Sequence, residues 1–372
     1  MSNHRTVIFH PALAPYRIDF FNSLSEAVDA EIYYEFNNPL EQTFDQQALR
    51  ERLRFTPHFL RPGFLGIKNL RLEVLSILWR KRPDVVFVSE YNLLGLLVCL
   101  FKFLFHWRMR VITTCDDNLW MAQQAGKVKR LTRYCMLHVL DGVILADKQA
   151  CQWYQQTLSY KASYVYFPII QSDEVFRARL AQALPLATEI AARLNVIGKK
   201  VILYVGRLAE VKQVSLLIAA FQQITSRHPE ARLLIVGDGP LRQALEQQAK
   251  AEKEAGIVCF AGKQEGMQLL AYYNVAQLFV LPSYYEPFGT VVNEALLAGC
   301  YTLCTQVAGA TCLIAPGQNG ELFDSSSTEQ LASLLSDALS KMPSLAHIAL
   351  KNNLMNLHYE EQCKHLLQSL GA

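Results

Sequence analysis

The chain is poor in charge. Charged residues make up 19% of its 372 positions against 51% hydrophobic, and the formal net charge is only +3. This excludes a disordered chain, which has too little apolar surface to offset its conformational entropy, and it gives no support for nucleic-acid binding. The nine cysteines include no C-x-x-C pair. Free thiols in a reducing compartment are therefore expected, and Cys300 and Cys304 fit a buried strand and its flanks better than a metal site. Long apolar runs are missing too. The most membrane-like stretch, LLGLLVCLFKFLFHW at 93–107, is interrupted by Lys102 and falls short of the ~20 residues a spanning helix needs. It reads as a buried core helix. The basic and aromatic residues of HWRMR (106–110) and KVKR (127–130) leave peripheral membrane attachment open. No signal peptide is expected, because Met1–Thr6 runs straight into the strand-like Val7-Ile8-Phe9. The expected location is the cytoplasm, with the cytoplasmic face of a membrane as the alternative.

What is present is length and rhythm. A chain of this size exceeds what one core usually serves, and its charge is uneven. Residues 1–195 hold 23 Lys/Arg against 18 Asp/Glu, residues 196–372 hold 13 against 15, which favours an anionic partner for the first half. Short apolar runs alternate with helical patterns, predicting α/β domains with parallel sheets. Strands are expected at Thr6–His10, Asp84–Ser89, Val111–Thr114 and Gly142–Ala146, with helices over Ile18–Val28 and Leu70–Arg80. Residues 168–199 contain no strand pattern and are expected to connect two domains, 1–167 and 200–343, with helical pieces of their own. In the second, VILYVG (201–206), ARLLIVGDGP (231–240), Ile257–Ala261, Gln277–Leu281 and Tyr301–Thr305 predict strands. A helical pattern over Ser344–Leu370 closes the chain, as a segment (344–372) able to pack back on the first domain.

Doubly wound sheets bind ligands beyond the carboxyl ends of their strands, and four polar turns fall there: GRLAEVK, GDGP, GKQEG and PSYYEPFG. In GRLAEVK, Arg207 and Lys212 lie beside a helix N-terminus, where two cations are electrostatically misplaced unless an anion sits between them. Taken singly, each reads equally as a solvated surface charge. GDGP, with Gly239, is a weak signal, more often a structural turn. GKQEG, with Lys263, is similar, with backbone groups for a base. In PSYYEPFGTVVNEALLAG, Gly289 permits close backbone approach, Thr290 suits an N-cap, and the N–H groups of Gly289, Thr290 and Val291 would form an anion site. Glu294 would complement the helix dipole or accept from ribose hydroxyls. Glu286 has no helix to stabilise, and its position between Pro287 and a cleft asks for a use. Phosphate, ribose and sugar together describe a nucleotide sugar.

These stretches resemble the group 1 glycosyltransferases (family 4), retaining enzymes of GT-B architecture, whose two Rossmann-like doubly wound domains face a central cleft. The E-x7-E motif is met by Glu286 and Glu294. The resemblance is strong over about 200–325 and looser before it, where APYRIDFFNSL (14–24) is similar to the first loop and helix of bacterial members. It implies that Arg207 and Lys212 hold the donor diphosphate and stabilise the leaving group. Gly239, Lys263, Phe288, Gly289, Thr290 and Val291 would complete the donor site, Glu294 would bind the ribose, and Glu286 would act at the donor sugar. It also implies retention of configuration, no metal and no cofactor, with a UDP- or GDP-sugar as donor and a glycan or lipid-linked acceptor of the kind used in bacterial surface polysaccharide or lipopolysaccharide synthesis. Two departures stand out. HPALAPYR (10–17) lacks the family's glycine-rich loop, leaving Tyr16 and Arg17 for the first-domain site. ITTCDDN (112–118) places Cys115 and Asp116 where a His-Asp pair is frequent. Asp116, with a catalytic role, and Asp117 would face sugar hydroxyls or merely end a strand, and Glu90 in VSEYN is a comparable acceptor contact. Two other readings remain: another GT-B enzyme such as a sugar-nucleotide epimerase or a phosphorylase, which the E-x7-E spacing disfavours, and a catalytically silent nucleotide-binding subunit.

Overall fold

Runs such as VILYV, buried at nearly every residue, cannot lie on a sheet with one wet face; both faces must be covered, which is the parallel α/β solution. The computed structural model has two such sheets and describes residues 5–38, 43–67, 70–106, 108–158, 161–250 and 257–370. Trp107, part of the expected 93–107 stretch, lies outside the described residues. The chain forms two compact units, one extending to Gln171 and including the chain from Tyr359, the other Ser172–His358.

In the first unit the strands are β1 (Thr6–Ala12), β2 (Ala30–Phe36), β3 (His58–Phe59), β4 (Val85–Ser89), β5 (Arg110–Cys115), β6 (Gly142–Leu145) and β7 (Ser163–Tyr166). They are all parallel, in the order β3-β2-β1-β4-β5-β6-β7. β2, β3 and β7 escape the sequence pattern: β2 carries Glu31 and Glu35, and β3 and β7 are short edge pieces. The helix Tyr359–Leu370 belongs here, its Tyr359 hydroxyl donating to Ser23 Oγ at 2.8 Å and its ring against Phe167.

In the second unit, β8 (Lys200–Val205), β9 (Ala231–Val236), β10 (Val258–Gly262), β11 (Leu278–Leu281), β12 (Tyr301–Thr305) and β13 (Gly320–Phe323) are again parallel, ordered β10-β9-β8-β11-β12-β13. The helical pieces within 168–199 are Asp173–Gln182 and Leu184–Arg193, which pack into this unit, where Asn274 Nδ2 donates to Leu180 O at 2.8 Å. One expectation needs correction. The expected helix over Ser344–Leu370 is regular only from Tyr359. The preceding irregular stretch is held by side chains instead: Arg177 donates to Leu297 O and Lys351 O, and Asn319 to Leu354 O.

The cysteines form no disulfide among the described residues. Cys300 and Cys304 are fully buried at the start and within β12.

Candidate functional site

Each sheet reverses its winding once. In the second unit this happens between β8 and β11, whose register pairs Leu278 with Ile202 and Phe279 with Leu203. Both strands therefore end level, and the turns after Val205 and Leu281 leave the sheet side by side. At such a switch point ligands find a crevice and the N-termini of the following helices.

The turn after β8 contains Gly206, exposed Arg207 and a 3₁₀ turn, Glu210–Lys212. Gln213 then adopts a left-handed conformation (φ 47°) and caps the helix Val214–Gln222. This places Lys212 at a helix N-terminus, as the sequence predicts. Its Nζ pairs with Glu286 Oε2 at 2.5 Å, with only 20% and 10% of the two side chains exposed. Ser283 Oγ donates to the same carboxylate oxygen at 3.2 Å, and Tyr284 N donates to Val211 O at 3.1 Å, tying the two turns together. Lys212 and Glu286, 74 residues apart in sequence, thus meet directly across the switch point.

Gly289 explains the tightness of the second turn. It has φ 95°, and a Cβ there would stand 2.8 Å from a Leu281 methyl and 3.3 Å from Glu286 Cγ. Here the structure corrects the expected N-cap. Gly289 itself caps the helix Thr290–Leu297, and Thr290 is its first residue, because a left-handed cap under such crowding suits glycine. The first helical N–H groups, those of Thr290 and Val291 among them, have no intrahelical acceptor by geometry. Glu294 lies one turn further and accepts from the Tyr273 hydroxyl at 2.9 Å. Burial first, then Glu294, pushes the Tyr273 phenol well above its ordinary pKa, so it stays a donor. Tyr273 and Ser283 were not singled out from sequence; their roles follow from packing, which no local motif announces.

Other expected donor residues are placed differently. A Cβ on Gly239 would collide with the Leu208 carbonyl at 2.5 Å, and Leu208 N donates to Asp238 O. GDGP is thereby packed on the GRL turn. Phe288 is buried, its carbonyl accepting from Ala310 N at 2.7 Å, so what this residue has to offer a ligand is chiefly backbone. Lys263 pairs with its neighbour Glu265 at 2.6 Å, apart from the Lys212–Glu286 pair.

The first unit repeats the logic with a denser set of charges. Its switch point lies between β1 and β4, and Ser89 pairs with Thr114 across β4 and β5. Glu90 and Cys115 therefore emerge together. Glu90 is held at φ 62°, an unusual backbone state for a non-glycine residue. Its carboxylate accepts from Asp116 N at 2.9 Å. Lys129, on the helix Lys127–Leu137, donates to Glu90 at 3.1 Å and to Asp117 at 2.7 Å. Arg17, buried in the turn after β1, pairs with Asp116, whose side chain remains 39% exposed. Tyr16 shares the same 3₁₀ turn. Burial raises the Glu90 carboxyl while Lys129 pulls it down, and burial first, then Arg17, lowers His10 to about 4. The expected first-domain residues Arg17, Glu90, Asp116 and Asp117 thus form one connected group, to which the structure adds Lys129.

Among the described residues, Glu90, Cys115 and Asp117 are the one group of potential metal ligands lying close together. The donor set fits a resident metal poorly. Lys129 Nζ already bonds both carboxylates, and burial pushes the Cys115 thiol far above its ordinary pKa, so it remains protonated.

Residues 188–353 match the family model described as glycosyl transferases group 1. A glycogen synthase from Mycobacterium tuberculosis is 26% identical over 283 residues, 76% of this chain and 65% of that protein. The match thus spans less than two thirds of that curated relative. Among solved structures, Anabaena HepE in complex with UDP and glucose is similar with a TM-score of 0.76 at 16% identity, over 99% of both chains. The lipopolysaccharide outer core galactosyltransferase WaaB, in its apo form, gives 0.69 at 14% identity, over 98% of this chain and 99% of that one. Identities this low carry the fold alone, and that fold is GT-B.

Proposed function

We propose, from the match of residues 188–353 to the group 1 glycosyltransferase family model, that the chain transfers a sugar, with retention of anomeric configuration, from a nucleotide sugar to a glycan or lipid-linked acceptor. The observation that carries this is the meeting of Lys212 and Glu286 at the switch point, beside the N-terminus of the helix that bears Glu294. A lysine ammonium has three donors, so Lys212 serves Glu286 and a phosphate oxygen together. Arg207, Lys212 and the N–H groups of Gly289, Thr290 and Val291 hold the donor diphosphate. They stabilise the charge that develops on it as the bond to the sugar breaks, through donors fixed before reaction. Glu294, steadied by Tyr273, accepts from the ribose hydroxyls. Glu286, buried and fixed by Lys212 and Ser283, faces the positive charge that grows on the sugar ring. Gly239 and Phe288 shape the turns around the donor, and Lys263 lies nearer the base.

Acceptor binding belongs to the first unit. Asp116 is the exposed carboxylate there and takes the acceptor hydroxyl, with Arg17 and Glu90 fixing its loop. Asp117 and Tyr16 line the same strand ends. HepE is described with UDP and glucose, which supports a UDP-sugar donor, and WaaB, described as a lipopolysaccharide outer core galactosyltransferase, supports an acceptor of the lipopolysaccharide type. The test is to incubate the protein with a panel of UDP- and GDP-sugars and extracted glycan or lipid acceptors, and to measure released nucleotide. Turnover that Glu286→Gln lowers while nucleotide affinity is kept supports the reading. Tight nucleotide binding without turnover in any combination would replace it with a silent binding subunit.

A further inference from the structure

The helix Leu93–Phe105 buries its charge and exposes its grease. Its one charged residue, Lys102, points inward and pairs with Asp141 at 2.5 Å while donating to Val139 O. The exposed residues on its outward stripe are Leu93, Leu100, Phe103 and Leu104 at helical spacing, with Phe103 73% exposed. A core helix does the reverse. At 13 residues, or roughly 20 Å, it is too short to span a bilayer, and no described helix is long and apolar enough to do so.

Two neighbouring helices continue the face. On Glu73–Lys81, Trp79 is 58% exposed and lies edge-on to Phe105 at 5.8 Å. On Lys127–Leu137, which meets the first helix where Met136 crowds Gly95, the outward residues include Val128, Leu131 and Tyr134, all more than half exposed. The charge around this apolar face is mainly positive, with Glu73 at the far end of the Trp79 helix. Residues 91–115 and 118–140 contain no Asp or Glu, and exposed Arg80, Arg82, Arg108, Arg110, Lys127 and Arg130 stand on or beside the three helices. A cavity of about 480 Å³ adjoins the Trp79 helix, lined by Arg61, Arg71 and Arg80 together with Glu73.

Exposed leucine, phenylalanine and tryptophan ringed by arginine and lysine fit one occupant, the interface of an anionic bilayer, where apolar side chains enter the acyl boundary and cations meet headgroup phosphates. We infer that the first unit docks on an anionic lipid surface through the helix Leu93–Phe105, flanked by Glu73–Lys81 and Lys127–Leu137. This deepens the proposed function, on which it rests only for the purpose of docking, namely reach to a membrane-borne acceptor.

The experiment is flotation of the full chain with vesicles of phosphatidylcholine alone or mixed with phosphatidylglycerol, paired with calorimetric titration of UDP and GDP. The wild type is expected to float with phosphatidylglycerol vesicles, less so as salt rises, and hardly with phosphatidylcholine. The triple variant Leu100→Ser, Phe103→Ser, Leu104→Ser should lower the floated fraction by about tenfold or more, and Lys127→Glu with Arg130→Glu should lower it as well. Ile197→Ser, an exposed apolar position in the other unit, should float as the wild type does. Nucleotide affinity should stay constant across the set, which also shows that the variants are folded. Docking is overturned if the wild type stays unfloated with phosphatidylglycerol, or if the triple variant floats equally. It is also overturned if light scattering finds a dimer that the triple variant dissolves, which would assign the face to a second copy. Flotation without nucleotide binding would instead sink the transfer reading and leave the docking intact.

Discussion

The two units solve the same positional problem with different chemistry. Each presents charged side chains at the switch point of a parallel sheet. The second does it with one ion pair, Lys212–Glu286, next to a helix N-terminus. The first does it with a linked set in which Lys129 joins Glu90 and Asp117, and Arg17 joins Asp116. On the proposed reading, the diphosphate is common to UDP- and GDP-sugars, so a few fixed cations and backbone donors would suffice. An acceptor would offer hydroxyls whose arrangement varies, and reading them would take carboxylates oriented by neighbouring cations.

If that difference is real, breaking each set should fail differently. The largest effect is expected from Lys129→Met, which strands the almost fully buried Asp117 beside Glu90. Loss of one partner in such a pair costs about 3 kcal/mol of stability, measurable as a urea midpoint. Adding Asp117→Asn should recover much of it. Next, Glu286→Gln should cost catalysis rather than folding, about a hundredfold in turnover, with nucleotide affinity within about threefold by titration calorimetry. A large stability loss with unchanged turnover would make Glu286 a structural residue and erase the contrast.

A third test uses pH on β2. The Glu35 carboxyl, buried with Oε2 lacking a partner, is pushed up to about 7 by burial, against the pull of Arg71. Its folded pKa exceeds its unfolded value, so its favourable contribution is complete below the ordinary carboxylate range and is lost as pH rises through 7. Glu35→Gln should therefore stabilise the protein by about 1–3 kcal/mol near pH 8 and hardly at all near pH 4. Equal gains at both values would remove the titration as the cause. The smallest effect belongs to Tyr273→Phe. Losing its hydrogen bond to Glu294 should cost about 1 kcal/mol in nucleotide affinity, and no change would separate Glu294 from the ribose.

How far the sequence reveals these sites follows the same division. Lys212, Glu286 and Gly289 are legible because each sits in a short turn at a strand end, and Glu294 because it stands eight residues after Glu286 in the helix that follows. Lys129 and Tyr273 are not, because each lies on an ordinary helical stretch and gains its role only when tertiary packing sets that helix beside a strand end. The fold shows a parallel limit. Strands buried on both faces, such as β8, announce themselves, whereas β2 carries two glutamates and looks like a loop or helix edge. The stripe on Leu93–Phe105 reads as core in the sequence and is exposed in the structure for a related reason. Composition tells that a helix is greasy, and only the direction of Lys102 tells which way the grease faces.

The return of the helix Tyr359–Leu370 to the first unit has a consequence for biosynthesis. On the ribosome, the Ser172–His358 unit has every residue it needs before that helix exists. The unit that is started first is therefore completed last, and until then Phe167 lacks the ring of Tyr359 and Ser23 lacks its hydroxyl. A nascent chain stalled or cut before Tyr359 should contain a finished second unit and an unfinished first one, a species whose first unit is cut by proteases more readily than that of the full chain.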